Sequence, residues 1–355
     1  MIPSTDRQTW NGLFYLRAAF CVAIVAWHCS VLGTSSVFNP AAFPSHIVEA
    51  SDVIYLYFCL LGSPMFFLIS FFLAAGRRGE KGLAIARIGW LFWLCMFWLT
   101  LWTLCRGGFG ALGLRYHPSA VWPDIHSLLW HVVTGGSGPY YYFFSLLGLT
   151  CVCFAAVRLP RGLVWSLLAA SVAAVGLVPL AVARWQSWAW MDAYWMPLNF
   201  VPYVFIGILS RDYIDRHPRS SSSPRFTIAL LPIFLLFVGL AISEWWYLPH
   251  GNNFAHNITA IPMYTRLSVV VGTTAFFFLS FLVTDPPPPW IRFVSDNSLG
   301  IYCIHVLLLW FCHIDLLAIG PLRRIPAGAF AFLAVLPLSL LGTVLLRRAL
   351  GKRLV

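Results

Sequence analysis

Long apolar runs alternate with short polar breaks along the whole chain. Each run is close to the ~20 residues that an α-helix needs to cross a bilayer. The runs that we interpret as spans cover residues 13–33, 52–75, 88–105, 138–157, 163–183, 197–211, 226–247, 262–284, 297–314 and 326–346. This pattern predicts an all-α, polytopic membrane protein of about ten transmembrane helices, folded as the single domain 1–355.

The composition supports this interpretation. Hydrophobic residues make up 60% of the chain, charged residues make up 10%, and the mean hydropathy is +0.79. A soluble domain carries about 25% charged residues, so the chain is too poorly charged to be one.

The net charge of +11 is unevenly distributed. With the N-terminus inside, sixteen of the 23 lysines and arginines fall on the cytoplasmic side, five fall outside and two lie within spans. By the positive-inside rule, both termini are cytoplasmic. The basic face then meets anionic membrane lipids and anionic cytoplasmic ligands, and we expect no nucleic-acid partner.

Two connections stand out between the predicted spans. Residues 106–137 are too polar and glycine-rich to span, and their DIHSLLWHVV segment predicts a short interfacial helix capped by Asp124. The serine-rich residues 211–225 predict a polar linker. The nine cysteines are scattered without metal-ligand spacing, so we predict no metal site.

Arg17 and His28 are the strongest candidates for chemistry, because both lie within the first span. Eleven helical steps of about 100° return to within roughly 20° of the starting direction, so the two side chains share one helix face. The rise separates them by roughly 16 Å. Ionisable residues inside a membrane usually face the protein interior or a wet cavity.

Each candidate also has a structural interpretation. His28 is either a general base, since imidazole exchanges protons near neutral pH, or a hydrogen-bonding partner between helices. For Arg17 taken alone, snorkelling to the interface is the favoured interpretation. His305 shares a helix face with Ser298 and Tyr302, seven and three residues before it, and these residues could simply bond between helices.

Other polar residues add to the candidate site. Arg87 opens the third span, where its guanidinium could bind a phosphate. A carboxylate partner for His28 remains open among Asp52, Asp192 and Glu244, which lie near the outer ends of spans.

At this point the motifs resemble those of the acyltransferase-3 family of integral-membrane O-acyltransferases. The chain is most similar to its bacterial cell-surface polysaccharide O-acetyltransferases. The matching segments are Arg17 and His28 with ten residues between them, Pro64-MFFLI-Ser70, Arg87, YYYFF at 140–144, Tyr203-VFI-Gly207-Ile208-Leu209, GNNFA at 251–255 and Ser298-LGIYCI-His305. Phe71 stands where the family has glycine, Tyr141 where it has tryptophan, and Arg87 lacks a second arginine close by.

The resemblance implies a multi-pass enzyme of the bacterial inner membrane. It would transfer acetyl from cytoplasmic acetyl-CoA to a hydroxyl of a cell-surface polysaccharide or its lipid-linked precursor. His28, with Arg17, would be catalytic, as a general base or a transient acyl carrier. Donor binding would fall to Arg17, Arg87 and Tyr141. Supporting roles would fall to Ser70, Ser298, Tyr302 and His305.

Two other functional classes remain open from the sequence. A transporter of polysaccharide or lipid-linked sugar also carries polar residues at mid-membrane, and it would be favoured by inverted repeats with broken helices, which we do not find in the sequence. A non-catalytic membrane component of a polysaccharide synthesis complex is the other.

Overall fold

The computed structural model describes residues 10–32, 50–77, 81–111, 140–185, 190–191, 193–217, 224–247, 263–311 and 324–351. The helices in this part of the chain are α1 (Asn11–His28), α2 (Ala50–Tyr57), α3 (Gly62–Ala75), α4 (Lys81–Ala111), α5 (Tyr141–Ala156), α6 (Arg161–Arg184), α7 (Val201–Arg216), α8 (Pro224–Tyr247), α9 (Leu267–Leu279), α10 (Pro289–Asp296), α11 (Ser298–Phe311) and α12 (Arg324–Leu350). Short 3₁₀ turns cover Cys59–Leu61, Pro197–Phe200 and Ser280–Leu282.

The all-α prediction is confirmed, since the described residues contain helices and turns but no strand. A helix lies at each of the ten predicted spans, the second being built by α2, a 3₁₀ turn and α3. Six helical stretches in this part of the chain are long and apolar enough to cross a membrane, and three shorter apolar helices accompany them. The count of ten crossings and the cytoplasmic termini stay predictions.

Several helices extend beyond the predicted spans into segments that the sequence assigned to connections, and α4 and α7 are examples. The helix α4 continues to Ala111, beyond the predicted end at residue 105. The helix α7 continues to Arg216, because ion pairs at i, i+4 spacing join Arg211 to Asp215 and Asp212 to Arg216 along its last turns. The predicted interfacial helix, the GNNFA segment and residues 218–223 of the predicted linker lie outside the described residues.

The stretch containing α3 is the centre of the bundle. Within Val53–Ala75, 78% of an 18-residue apolar stretch is buried inside the protein, whereas the corresponding share in Phe226–Glu244 of α8 is 17%. The helix α3 packs on α1, α5, α7 and α9 through fully buried rings such as Phe67, Phe71 and Phe72. By contrast, α8 and α12 expose apolar side chains, including Ile228 and Phe330, as expected for surfaces that face lipid.

The second predicted span is broken where α2 gives way to α3. Beyond Tyr57, the backbone passes through a 3₁₀ turn at Cys59–Leu61. The buried Arg266 donates from Nη2 to the Leu56 carbonyl at 3.0 Å, and its Nη1 lies 3.5 Å from a carboxylate oxygen of Glu244. A neighbouring side chain therefore satisfies the backbone at the break, which is how interrupted helices are tolerated in membranes.

Candidate active site

The helices α1 and α11 carry most of the predicted site and run in the same direction. Near the start of both helices, Arg17 Nη2 donates to Ser298 Oγ at 3.2 Å. Near their other ends, His28 Nδ1 lies 2.8 Å from His305 Nε2. The two contacts together fix the alignment of α1 against α11, and they place the arginine and the histidine pair at separate levels of the bundle.

A cavity of about 200 Å³ lies at the level of Arg17, between α1, α3, α4, α5 and α11. Its walls combine polar groups with apolar side chains. Five of the residues singled out from the sequence line it, namely Arg17, Ser70, Arg87, Ser298 and Tyr302. The sequence placed them on four separate spans, so their convergence is a finding of the fold.

The cavity is electropositive. Arg87 Nη2 donates to Ser70 at 3.4 Å from Oγ and 3.5 Å from the carbonyl oxygen, while its buried Nε has no hydrogen-bond partner in the described part of the chain. Neither Arg17 nor Arg87 forms an ion pair with a carboxylate among the described residues. Two guanidinium groups that form no ion pair in the described part of the chain, at one small cavity, are suited to binding an anion.

The histidine pair lies further along α1 and α11, outside the lining of this cavity. His305 is completely buried and its Nδ1 lies 3.0 Å from the Ile301 carbonyl, whereas His28 is exposed on the surface of the described residues. The two rings are within 15° of parallel, with centroids 5.1 Å apart. The Trp27 ring stacks on His28 at 5.1 Å between centroids.

A defined turn ends α1 directly after His28. The amide of Ser30 donates to the Trp27 carbonyl at 2.9 Å and the amide of Val31 donates to the Ala26 carbonyl at 3.1 Å, which is the pair of bonds of a Schellman motif. Ser30 takes the left-handed position of that motif, with φ of 53°. Gly328 of α12 packs against the carbonyl of Ser30, where a Cβ would clash. The position of His28 is therefore fixed by its own helix end and by a neighbouring helix.

Tyr302 connects the cavity to the histidine pair. It lines the cavity, and its ring centroid lies 5.8 Å from that of His305. Its other neighbour is Tyr142, whose ring centroid is 5.4 Å away and which also lines the cavity. The predicted residues thus form a continuous series from the two arginines through Tyr302 to His28.

Tyr141 is the predicted residue that the structure places apart. Its hydroxyl lies 3.3 Å from the Tyr264 hydroxyl, and its ring packs against Tyr194. The cavity is lined instead by Tyr142. The donor-binding role of Tyr141 stays a prediction.

Sequence reasoning missed Ser63, Trp90 and Tyr142, which also line the cavity. Two of them carried a usable signal: Ser63 is two helical turns before Ser70, and Trp90 is one turn after Arg87, so each shares a face with a residue already singled out. Tyr142 is one of three consecutive tyrosines, and a run of identical residues does not reveal which ring faces inward.

Of the three acids left open as partners of His28, Glu244 is engaged elsewhere. Its carboxylate accepts hydrogen bonds from the amide and hydroxyl of Ser268, at 3.1 and 2.5 Å, and lies beside Arg266. Asp192 and the side chain of Asp52 lie outside the described residues. Where side chains are described, no group of three or more His, Cys, Asp or Glu residues is arranged to hold a metal ion.

Comparison with known proteins gives one match. A family model with the description "Acyltransferase domain", that of the acyltransferase-3 family, matches residues 10–348. No curated protein and no solved structure matches the chain. The match runs from the start of α1 nearly to the end of α12 and so includes every residue of the candidate site. The chain belongs to the acyltransferase-3 family, and it is a membrane acyltransferase.

Proposed function

We propose that this acyltransferase moves acetyl from cytoplasmic acetyl-CoA to a hydroxyl of a cell-surface polysaccharide or its lipid-linked precursor, in the inner membrane of a bacterium. One observation carries the proposal: a cavity lined by two arginines, neither in an ion pair with another described residue, adjoins, through Tyr302, a histidine pair with one exposed member. Such a site joins a group that binds anions to a group that accepts protons, as acyl transfer from an anionic donor requires.

The donor end is the cavity with Arg17 and Arg87. Coenzyme A carries phosphates, and guanidinium groups bind phosphate oxygens through paired N–H donors. The cavity of about 200 Å³ is too small for the whole coenzyme but is suited to a phosphate group or to part of the slender pantetheine arm. The bulk of the coenzyme then lies towards the cytoplasmic side, where the basic residues of the chain concentrate.

The chemistry takes place at His28. Its imidazole removes the proton of the acceptor hydroxyl as the oxygen attacks the thioester carbonyl carbon. A C–O bond forms, the C–S bond breaks, and the proton passes from the imidazole to the departing thiolate, so the histidine ends unchanged. Exposure of His28 beside Trp27 supports this role, because a sugar can approach the imidazole and stack on a neighbouring indole.

The acceptor approaches from the outer side in this proposal. The distribution of charge along the chain supports a cytoplasmic start for α1, and His28 is at the opposite end of that helix. The partners are therefore acetyl-CoA from within, a glycan or lipid-linked saccharide from without, and the surrounding membrane lipids.

An assay with radiolabelled acetyl-CoA tests the proposal. Protein in lipid nanodiscs, supplied with the saccharides of its host membrane, should release free CoA and label a glycan. His28→Ala should lower the rate by about 10²–10⁴, the usual contribution of a general base. His217→Ala is the matched control, because this exposed histidine lies beyond the end of α7 and should leave the rate unchanged. No CoA release by the wild type would favour a transporter or a non-catalytic component.

A further inference from the structure

The hydrogen bonds around His305 determine which of its nitrogens carries the proton. Its Nδ1 lies 3.0 Å from the Ile301 carbonyl oxygen, and a carbonyl oxygen only accepts hydrogen bonds. Nδ1 is therefore the protonated nitrogen. His305 has no exposed surface and forms no ion pair with another described residue. A buried imidazole in such surroundings is most stable as the neutral form, which carries one N–H. The Nε2 atom of His305 then holds a lone pair.

That lone pair points at His28. The two nitrogens are 2.8 Å apart, the rings are within 15° of parallel, and the centroid separation of 5.1 Å is about what two rings in edge-to-edge contact at this distance would give. The contact is therefore a hydrogen bond in the plane of both rings. Since Nε2 of His305 accepts, Nδ1 of His28 must donate.

We propose that His305 is a positioning residue that holds His28 in the tautomer with its proton on Nδ1, so that Nε2 is the atom that accepts the proton of the substrate hydroxyl. The inference rests on the proposed function in that His28 is the base. Which ring nitrogen of a histidine carries the proton is commonly set by the hydrogen bond that the other ring nitrogen makes with a neighbouring group. Here a neutral histidine, itself fixed by a backbone carbonyl, takes the place of a carboxylate.

This arrangement also assists the reaction. When Nε2 of His28 takes the hydroxyl proton, the ring becomes positively charged, and the bond from its Nδ1–H to His305 becomes charge-assisted and stronger. The proton on Nδ1 stays in place while the one on Nε2 is received from the hydroxyl and delivered to the thiolate. His305 therefore stabilises the charged stage of the cycle without touching substrate.

Two variants of His305 separate positioning from packing. His305→Phe keeps a flat ring in the buried space but has no acceptor for His28. His305→Gln can present its side-chain oxygen close to where Nε2 stood. We expect the phenylalanine variant to lose about tenfold or more in kcat, the scale of a lost hydrogen bond in a buried site, with KM for acetyl-CoA within about twofold of wild type. The glutamine variant should recover most of the loss.

The tautomer itself is measured by nitrogen-15 NMR of histidine-labelled protein in nanodiscs. His28 is assigned as the signal missing from His28→Ala. In the wild type it should carry its proton on Nδ1, and in His305→Phe it should become a mixture of both tautomers. A wild-type His28 protonated on Nε2 would overturn the inference, and so would a phenylalanine variant with unchanged kcat and tautomer. The wild-type spectrum decides even if the phenylalanine variant fails to fold.

The spectrum also separates the inference from the proposed function. It requires no substrate, so the tautomer is established whether or not acetyl transfer is observed. Full activity of His28→Ala would reject the proposed function and leave the spectrum unaffected.

Discussion

The two arginines of the cavity illustrate how the same residue type takes its role from its surroundings. Arg17 is about one helical turn from the predicted membrane edge, where the sequence around it, taken alone, favours snorkelling to the interface. In the structure it points inward, to Ser298, and shares a cavity with Arg87. A cation that forms no ion pair with the described carboxylates, in such a place, is suited to an anionic ligand.

Replacing either arginine should therefore weaken donor binding. Arg17→Ala and Arg87→Ala should each raise Kd for CoA by about tenfold or more, since a hydrogen bond to a charged group contributes about 1.5–3 kcal/mol. Lysine should rescue only partly, because it has a single charge centre and no planar fork.

Isothermal titration calorimetry on detergent-purified protein gives these affinities. Arg184→Ala serves as the matched control, because this exposed arginine ends α6 on the predicted outer side and does not line the cavity. Unchanged CoA affinity in both cavity variants would remove the arginines from the donor site.

At this scale the sequence predicts spacing along a helix better than contact between helices. The interval from Arg17 to His28 was enough to place both on one face of α1, and the interval from Ser298 to His305 did the same on α11. The sequence could not decide whether Tyr141 or Tyr142 lines the cavity. Successive residues on a helix point about 100° apart, so only the packing of α5 against α3 and α11 decides which ring enters the cavity.

Among the helices, the crossing of α3 and α7 depends on a glycine. A Cβ added at Gly207 would lie 2.9 Å from the backbone nitrogen of Phe72 and 3.0 Å from the Cβ of Phe71. Both neighbours belong to the central helix, whose backbone cannot yield without moving Ser70. The close packing of α7 on α3 at Gly207 therefore helps to fix the position of α3, which forms one wall of the cavity.

Gly207→Ala should accordingly destabilise the protein by about 1–3 kcal/mol, the usual penalty for overpacking, and should lower CoA affinity through the shift of α3. Thermal melting in detergent, together with CoA titration, measures both effects. Gly148→Ala is the control: nothing lies within 4 Å of the added Cβ, and alanine favours a helix more than glycine does, so its melting temperature should be equal or higher. Equal melting of the two variants would contradict the proposed role of this crossing.

Hydropathy located the elements because lipid and a packed interior both select apolar side chains, and so a helix lies at every predicted span. It did not locate their interruptions. The break at Cys59–Leu61 lies in an uninterrupted apolar run, and what stabilises it is Arg266, some two hundred residues away. Such a break depends on tertiary contacts, which leave no trace in the local pattern.

For the molecule as a whole, sidedness is the property on which the proposed function depends. The bias of lysine and arginine predicts that residues 76–87 face the cytoplasm and residues 184–196 face outward. Single cysteines at Gly82 and Trp190 test this, since both positions are exposed. In a background without native cysteines, a membrane-impermeant thiol reagent should label only Trp190→Cys in intact cells.

Permeabilised cells provide the control, because both cysteines should then react. Labelling of Gly82→Cys from outside intact cells would show that the predicted orientation is inverted. The proposal that donor and acceptor meet from opposite sides would then fail with it.

The close approach of Gly328 to the turn after His28 couples a helix that is exposed on much of its surface to the proposed base. A Cβ at position 328 would clash with the carbonyl oxygen of Ser30, the residue of that turn with positive φ. Any larger side chain there would have to displace the turn, and with it the end of α1 that carries His28. The tolerance of α12 for substitution is therefore uneven: an exposed position such as Phe330 can change in size, whereas position 328 is restricted to glycine.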